Sequence, residues 1–281
     1  MGNAEGELAM KKGYVTLPEG QMHYRAEGEG EPLLLLHQAP LSGVEFQDII
    51  PLLSRDFTVI APDLPGHGQS DDLPREYGVE DYARSVVHFM DALGIKKTNL
   101  GGNHTGSAVS MSIAVDYPDR VKKLILSGES LIGTSEITAF LKMLESRPMS
   151  RDIPMDEAGR FLVEAWERYK ALAPAAPLEV RFKPFVIGLA ARLRRYDAHL
   201  PVFKWMATED RLPKIKVPTL IFSGDKDIFF NRAVMLAAGE RIPGCQVAII
   251  ENGGAMVCFE KPKEVAEVFL RFLKGHGVAV R

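Results

Sequence analysis

Gly101-Gly-Asn-His-Thr-Gly-Ser107 stands where a strand should hand over to a helix. The run before it, Ile95-Lys-Lys-Thr-Asn-Leu100, ends in strand-like residues. The run after it, Ala108 to Tyr117, has small and apolar residues at helical spacing and stops at Pro118. A glycine-flanked strand, turn and helix is the setting of a nucleophile elbow, Gly-x-Ser-x-Gly. Here the frame reads Gly102-Asn-His-Thr-Gly106, with histidine at the serine position. A strained, exposed turn is a costly place for a filler side chain. An imidazole there can serve as general base or as nucleophile near neutral pH.

On either side of the turn the chain alternates strand and helix signals. Gly13–Leu17 and Gln21–Ala26 flank Pro18-Glu-Gly20 and read as a hairpin. Leu33–Leu36 is a continuous apolar run, as a strand covered on both faces requires. Phe57–Ala61 is a second such run and leads into the loop Pro62-Asp-Leu-Pro-Gly-His-Gly68. Val79–Leu93 has helical periodicity and stops at Gly94; Val121–Leu126 reads as a further strand. From about Ser130 to Leu212, helical stretches broken by Pro148, Pro154, Pro174, Pro177 and Pro184 follow one another without an obvious strand. Alternation resumes at Val217–Phe222, Asn231–Arg241, Gln246–Ile250 and Pro262–Leu273. The pattern predicts a parallel-sheet α/β body with a helical insertion. Ligand sites in such sheets lie beyond the carboxyl ends of the strands. His37, Asp63, His104, Glu129, Asp227 and Ala255 fall at or just after those ends, which predicts one shared site.

Composition excludes several classes. At 281 residues the chain buries a large core without disulfides. With 46% hydrophobic residues, 25% charged and a net charge of −3, it has no basic footprint for nucleic acid. Two cysteines without metal-ligand spacing fit a reduced, cytoplasmic setting and no metal site. No uncharged run reaches membrane-span length, and the N-terminal residues lack a signal-peptide core. A monomer or homodimer acting on a small molecule, with no cofactor, is the expectation.

Four motifs in order resemble the α/β-hydrolase fold with a helical cap. Leu33-Leu-Leu-Leu-His-Gln-Ala-Pro40 resembles the family's oxyanion-hole strand and loop, His-Gly-x-Pro. Ala61-Pro-Asp-Leu-Pro-Gly-His-Gly-Gln-Ser-Asp71 resembles its Asp-x-x-Gly-x-Gly-x-Ser loop. Val217 to Asp227 resembles the strand carrying the triad acid. Glu251-Asn-Gly-Gly-Ala-Met256 with Phe259-Glu-Lys-Pro262 resembles the segment carrying the triad histidine. The resemblance implies a mostly parallel central sheet with helices on both faces. It divides the chain into core (1–129), cap (130–212) and core again (213–281).

At the chemistry the resemblance breaks. The nucleophile position holds His104, the base position holds Ala255 and the usual loop glycine is Gln38; only the acid, Asp227, matches. A serine hydroxyl needs a neighbouring imidazole to take its proton, so ordinary Ser-His-Asp acyl transfer is not available. Ser107 and Ser110 lie beyond the turn and are poor substitutes. The residues that remain are His104 as base or nucleophile, Asp227 or Glu129 as its carboxylate partner, and the Ala39 and Thr105 backbone amides as oxyanion donors. Gln38 adds an amide donor or simply packs, His37 braces the loop, and His67 and Asp63 read as loop structure. In the insertion Trp166, Tyr169, Phe182, Phe185, Trp205 and Met206 are candidates for an apolar lining, while Arg192, Arg194 and Arg195 read as a solvated basic face.

The resemblance predicts a hydrolase of a small, partly apolar carbonyl compound (ester, lactone or C–C bond). A cofactor-free lyase or proton-transfer enzyme needs the same groups. The two departures at 104 and 255 support a second reading, a ligand-binding protein that has lost catalysis, against which the turn glycines and the titratable group at 104 stand; a third is a chain altered at position 255.

Overall fold

The computed structural model describes residues 10–128, 142 and 153–278. Eight strands form one sheet: β1 (Lys11–Leu17), β2 (Gly20–Glu27), β3 (Glu31–Leu36), β4 (Phe57–Pro62), β5 (Thr98–Asn103), β6 (Val121–Ser127), β7 (Thr219–Gly224) and β8 (Gln246–Ile250). Their spatial order is β1-β2-β4-β3-β5-β6-β7-β8. β2 pairs antiparallel with both β1 and β4, and every later pairing is parallel. The helices are α1 (Ile50–Leu53), α2 (Val79–Ala92), α3 (Thr105–Asp116), α4 (Arg160–Leu172), α5 (Leu178–Ala190), α6 (His199–Thr208), α7 (Arg232–Glu240), α8 (Val257–Glu260) and α9 (Pro262–Leu273). This is an α/β-hydrolase fold.

The unbroken leucine run of β3 is explained by two covered faces. Leu34 and Leu36 enter one core with Val86 and Met90 of α2 and Val109 of α3. Leu33 and Leu35 enter the opposite core with Ile50 of α1 and Phe269 of α9. All four leucines are fully buried, so neither face tolerates a polar residue. The β1–β2 hairpin closes around Pro18 and Glu19, with Leu17 paired to Gly20.

The turn at the centre of the sequence is tighter than its pattern predicts. β5 continues past Leu100 to Asn103, and α3 begins at Thr105 instead of Ala108. Gly101 and Gly102, which read as loop punctuation, pair with Leu35 and Leu36 of β3 inside the sheet. A Cβ on Gly101 would meet Leu35 Cδ2 at 2.8 Å, so close neighbour packing, not turn conformation, requires glycine there.

Between β6 and β7 the described residues are helical: α4, α5 and α6, with no strand among them. Positions 129–141 and 143–152, which include the start of the expected cap, lie outside the described residues.

Candidate active site

His104 is the single residue between β5 and α3, at φ 43° and ψ −101°. A side chain with a Cβ is strained in this region, and the surroundings must hold it there. They do so through absent side chains. A Cβ on Gly102 would lie 2.1 Å from the Gly106 carbonyl oxygen, and one on Gly106 would lie 2.0 Å from that of Leu36. Gly128, at φ 92°, would place its Cβ 2.9 Å from His104 Cα. The His104 N–H donates to the Ser127 carbonyl, which fixes the turn to the end of β6. The imidazole is buried, with the Phe230 ring at 4.9 Å and the Phe229 ring at 5.9 Å, both edge-on.

His104 Nε2 lies 3.0 Å from Asp227 Oδ2. Asp227 follows β7, and its carboxylate is saturated. Oδ2 also accepts from Ser223 Oγ at 3.1 Å, while Oδ1 accepts the N–H groups of Phe229 at 2.8 Å and Phe230 at 3.1 Å. Burial pushes its carboxyl upward, but His104 and the two backbone donors outweigh burial and hold it below the usual carboxylate range. An ionised Asp227 makes Nε2 the protonated nitrogen and leaves the Nδ1 lone pair, which accepts no hydrogen bond among the described residues. The sequence pairs His104 with either Asp227 or Glu129; the contact made is with Asp227, and Glu129 lies outside the described residues.

The loop after β3 stands across from the turn. Ala39 N–H donates to Thr105 Oγ1 at 3.1 Å, so a ligand oxygen reaching that amide would replace the threonine hydroxyl. Thr105 opens α3, where the first N–H groups of a helix lack intrahelical partners. His37 accepts the Leu64 N–H on Nε2 and donates from Nδ1 to the Gln38 carbonyl, both at 2.9 Å. Burial lowers its pKa, and the neutral ring braces the loop. Gln38 does more than pack: its Nε2 donates to Glu45 Oε1 at 2.9 Å and to the Ala255 carbonyl at 3.2 Å.

Ala255 is 1% exposed, so the position where the family carries its base is closed by backbone and by the Gln38 amide. Asp63, which follows a strand end but reads as loop structure, accepts from His23 Nδ1, Gly43 N and Gln69 N. Its carboxylate knits β2 to the loops, because three donors converge there and none comes from the His104 turn. Among the aromatic candidates, Trp166, Tyr169, Phe182 and Phe185 make one ring cluster. Trp205 instead donates to Glu80 Oε1 at 2.7 Å and, with Met206, joins the core beside α2. Arg194 is not a simple solvated side chain: it pairs with Asp72 and donates to the Gly68 carbonyl. A cavity of about 390 Å³ opens here, lined by Pro40, His67, Ile187, Leu193 and Arg194 among others.

Three participants escape the sequence reading. Phe229 and Phe230 follow the acid loop, and no motif singles them out. Glu45 is a lone acid in Gly43-Val-Glu-Phe46, buried beside Gly43 and Phe46, and its single charge carries no signal in the sequence.

The alpha/beta hydrolase fold family model matches residues 31–262. The 2-hydroxy-6-oxononadienedioate/2-hydroxy-6-oxononatrienedioate hydrolase of Comamonas testosteroni is 38% identical over 288 residues, covering 92% of this chain and 95% of that protein. Haloalkane dehalogenase 2 of Mycobacterium tuberculosis (strain ATCC 25618 / H37Rv) is 26% identical over 267 residues, 89% of this chain and 91% of that one. Among solved structures, a thermophilic esterase from Thermogutta terrifontis superposes with a TM-score of 0.74 at 25% identity, over 94% of this chain and 98% of the esterase. Sheet order, the strained turn after β5, the acid after β7 and these matches agree, and the chain belongs to the α/β-hydrolase fold family.

Proposed function

We propose that the protein is a hydrolase of a small, partly apolar carbonyl compound, an ester, lactone or C–C bond, in which His104 replaces the serine nucleophile. The observation that carries this reading is the buried His104 Nε2–Asp227 Oδ2 contact of 3.0 Å at the point of the turn. Asp227 holds the proton on Nε2, so Nδ1 is the basic atom. In the base mechanism Nδ1 takes a proton from water as the water oxygen adds to the carbonyl carbon. The N–H groups of Thr105 and Ala39 hold the resulting oxyanion, and the imidazolium returns its proton to the leaving group. In the nucleophile mechanism Nδ1 itself adds, the oxyanion collapses to break the bond to the leaving group, which departs taking a proton from water, and the acyl-imidazole is then hydrolysed by a second water. Both need the carboxylate to stabilise the cation. Residues 130–212 would cap the site, with the Phe182–Phe185 cluster among its apolar parts.

The range of the relatives supports carbonyl or related hydrolysis without selecting the bond: one is named as a 2-hydroxy-6-oxononadienedioate/2-hydroxy-6-oxononatrienedioate hydrolase, one as an esterase and one as a dehalogenase. The test is a panel of esters, lactones and β-diketones assayed with the wild type and His104→Ala. Loss of about 10²-fold or more in kcat in the variant is expected. Turnover unchanged in His104→Ala would refute the histidine mechanism, and no turnover by either protein would leave a binding protein on this fold.

A further inference from the structure

Glu45 lies on the single turn Gly43–Phe46 and is 1% exposed. One carboxylate oxygen accepts the Gln38 N–H at 2.9 Å; the other accepts Gln38 Nε2 at 2.9 Å and Asn103 Nδ2. Gln38 directly precedes the Ala39 amide, and Asn103 directly precedes His104. Through Gln38 Nε2 the network continues to the Ala255 carbonyl. One buried carboxylate therefore joins the loop after β3, which carries the Ala39 amide, to the end of β5 next to His104, and through Gln38 to the segment after β8. The Asn103 amide has no partner for its oxygen, so Glu45 alone orients it among the described residues. A buried charge is costly unless donors surround it, and here every donor comes from a segment of the site.

We propose that Glu45 is a positioning residue: it sets the spacing of the Ala39 amide against His104, and its negative charge supports the imidazolium formed during turnover. The proposal rests on the histidine mechanism above. Burial pushes the Glu45 carboxyl up to about 7, against the lowering effect of its donors and of His104, so its charge changes near neutral pH. Of the ionisable groups facing it, His104 comes from the turn after β5 and Cys258 from α8, where burial keeps the thiol protonated. Glu260 of α8 is engaged with the Gly254 N–H, and Asp63 beyond β4 with His23, Gly43 and Gln69. Raising the pH through Glu45 ionisation should tighten the Gln38 and Asn103 contacts.

The experiment uses the full chain with Glu45→Gln, which keeps the shape and removes the charge, and Asn103→Ala, which disconnects the turn from Glu45. His104 ring resonances, assigned with His104→Ala, are followed by NMR from acid to alkaline pH. In the wild type they should show an inflection near 7 contributed by Glu45, and this inflection should vanish in Glu45→Gln. On any substrate from the panel, both variants should lose at least about tenfold in kcat with KM changed little, since misplacement acts on the transition state. A folded Glu45→Gln protein with unchanged His104 titration and unchanged kcat overturns the proposal. If Glu45→Gln does not fold, Asn103→Ala decides by the same kcat readout. Retention of activity in His104→Ala would sink the histidine mechanism instead, and the titration would still report whether Glu45 acts on that ring.

Discussion

At the scale of single residues, the proposed histidine mechanism turns on which nitrogen of His104 carries the proton. Asp227 Oδ1 is committed to two backbone N–H groups, so an asparagine at 227 would keep its oxygen there and turn its amide nitrogen toward His104. Nε2 would then have to accept, and the proton would move to Nδ1, leaving no basic lone pair for substrate or water. Asp227→Asn should lower kcat by about 10²–10⁴ while melting stays close to wild type, as steady-state kinetics and calorimetry would reveal. The serines near the turn are the other residue-scale question. Ser107 and Ser110 are fully buried, and their hydroxyls have no hydrogen-bond partner among the described residues. Without a base neither is a nucleophile, so a fluorophosphonate probe should leave the protein unlabelled by intact-mass spectrometry. Stoichiometric labelling at either serine would contradict this account of the site.

At the scale of elements, the strand-to-helix turn is made by the backbone of three segments meeting almost in contact. A methyl group on Gly106 would sit 2.0 Å from the Leu36 carbonyl oxygen and 2.9 Å from that of His37. Both are backbone atoms of a central strand and its loop, and neither can retreat without breaking sheet pairing. Gly106→Ala should therefore cost at least about 3 kcal/mol, the upper end of overpacking penalties, read from urea unfolding. Gly94→Ala is the contrasting case. Gly94 sits at φ 70° with nothing within 4 Å of its missing Cβ, so only conformational strain of about 1 kcal/mol is expected.

At the scale of the whole molecule, buried titratable groups make stability depend on pH in opposing ways. Glu45 rises from 4.5 to about 7 on folding, so its contribution is present below 4.5 and is lost as pH climbs to about 7. Glu260, also raised to about 7, has the same sign. His67, lowered by burial to about 3, stabilises above its unfolded value and loses that contribution on acidification. Subtracting the unfolding free energy of Glu45→Gln from that of the wild type cancels the last two. The difference should fall by about 3 kcal/mol between pH 4.5 and 7 and then level off, and a flat difference would mean that Glu45 does not titrate there. The sequence by itself determined the sheet, because unbroken apolar runs such as Leu33–Leu36 fit only strands covered on both faces. It also determined the turn, because the frame Gly102-x-His104-x-Gly106 has a local signature. The choice of Asp227 as the partner contacting His104, the engagement of Ala39 by Thr105, the pairing of Asp63 with His23 and the recruitment of Glu45 were decided by tertiary structure. Each joins positions dozens of residues apart, and side-chain hydrogen bonding across crossover connections leaves no periodic trace in the chain.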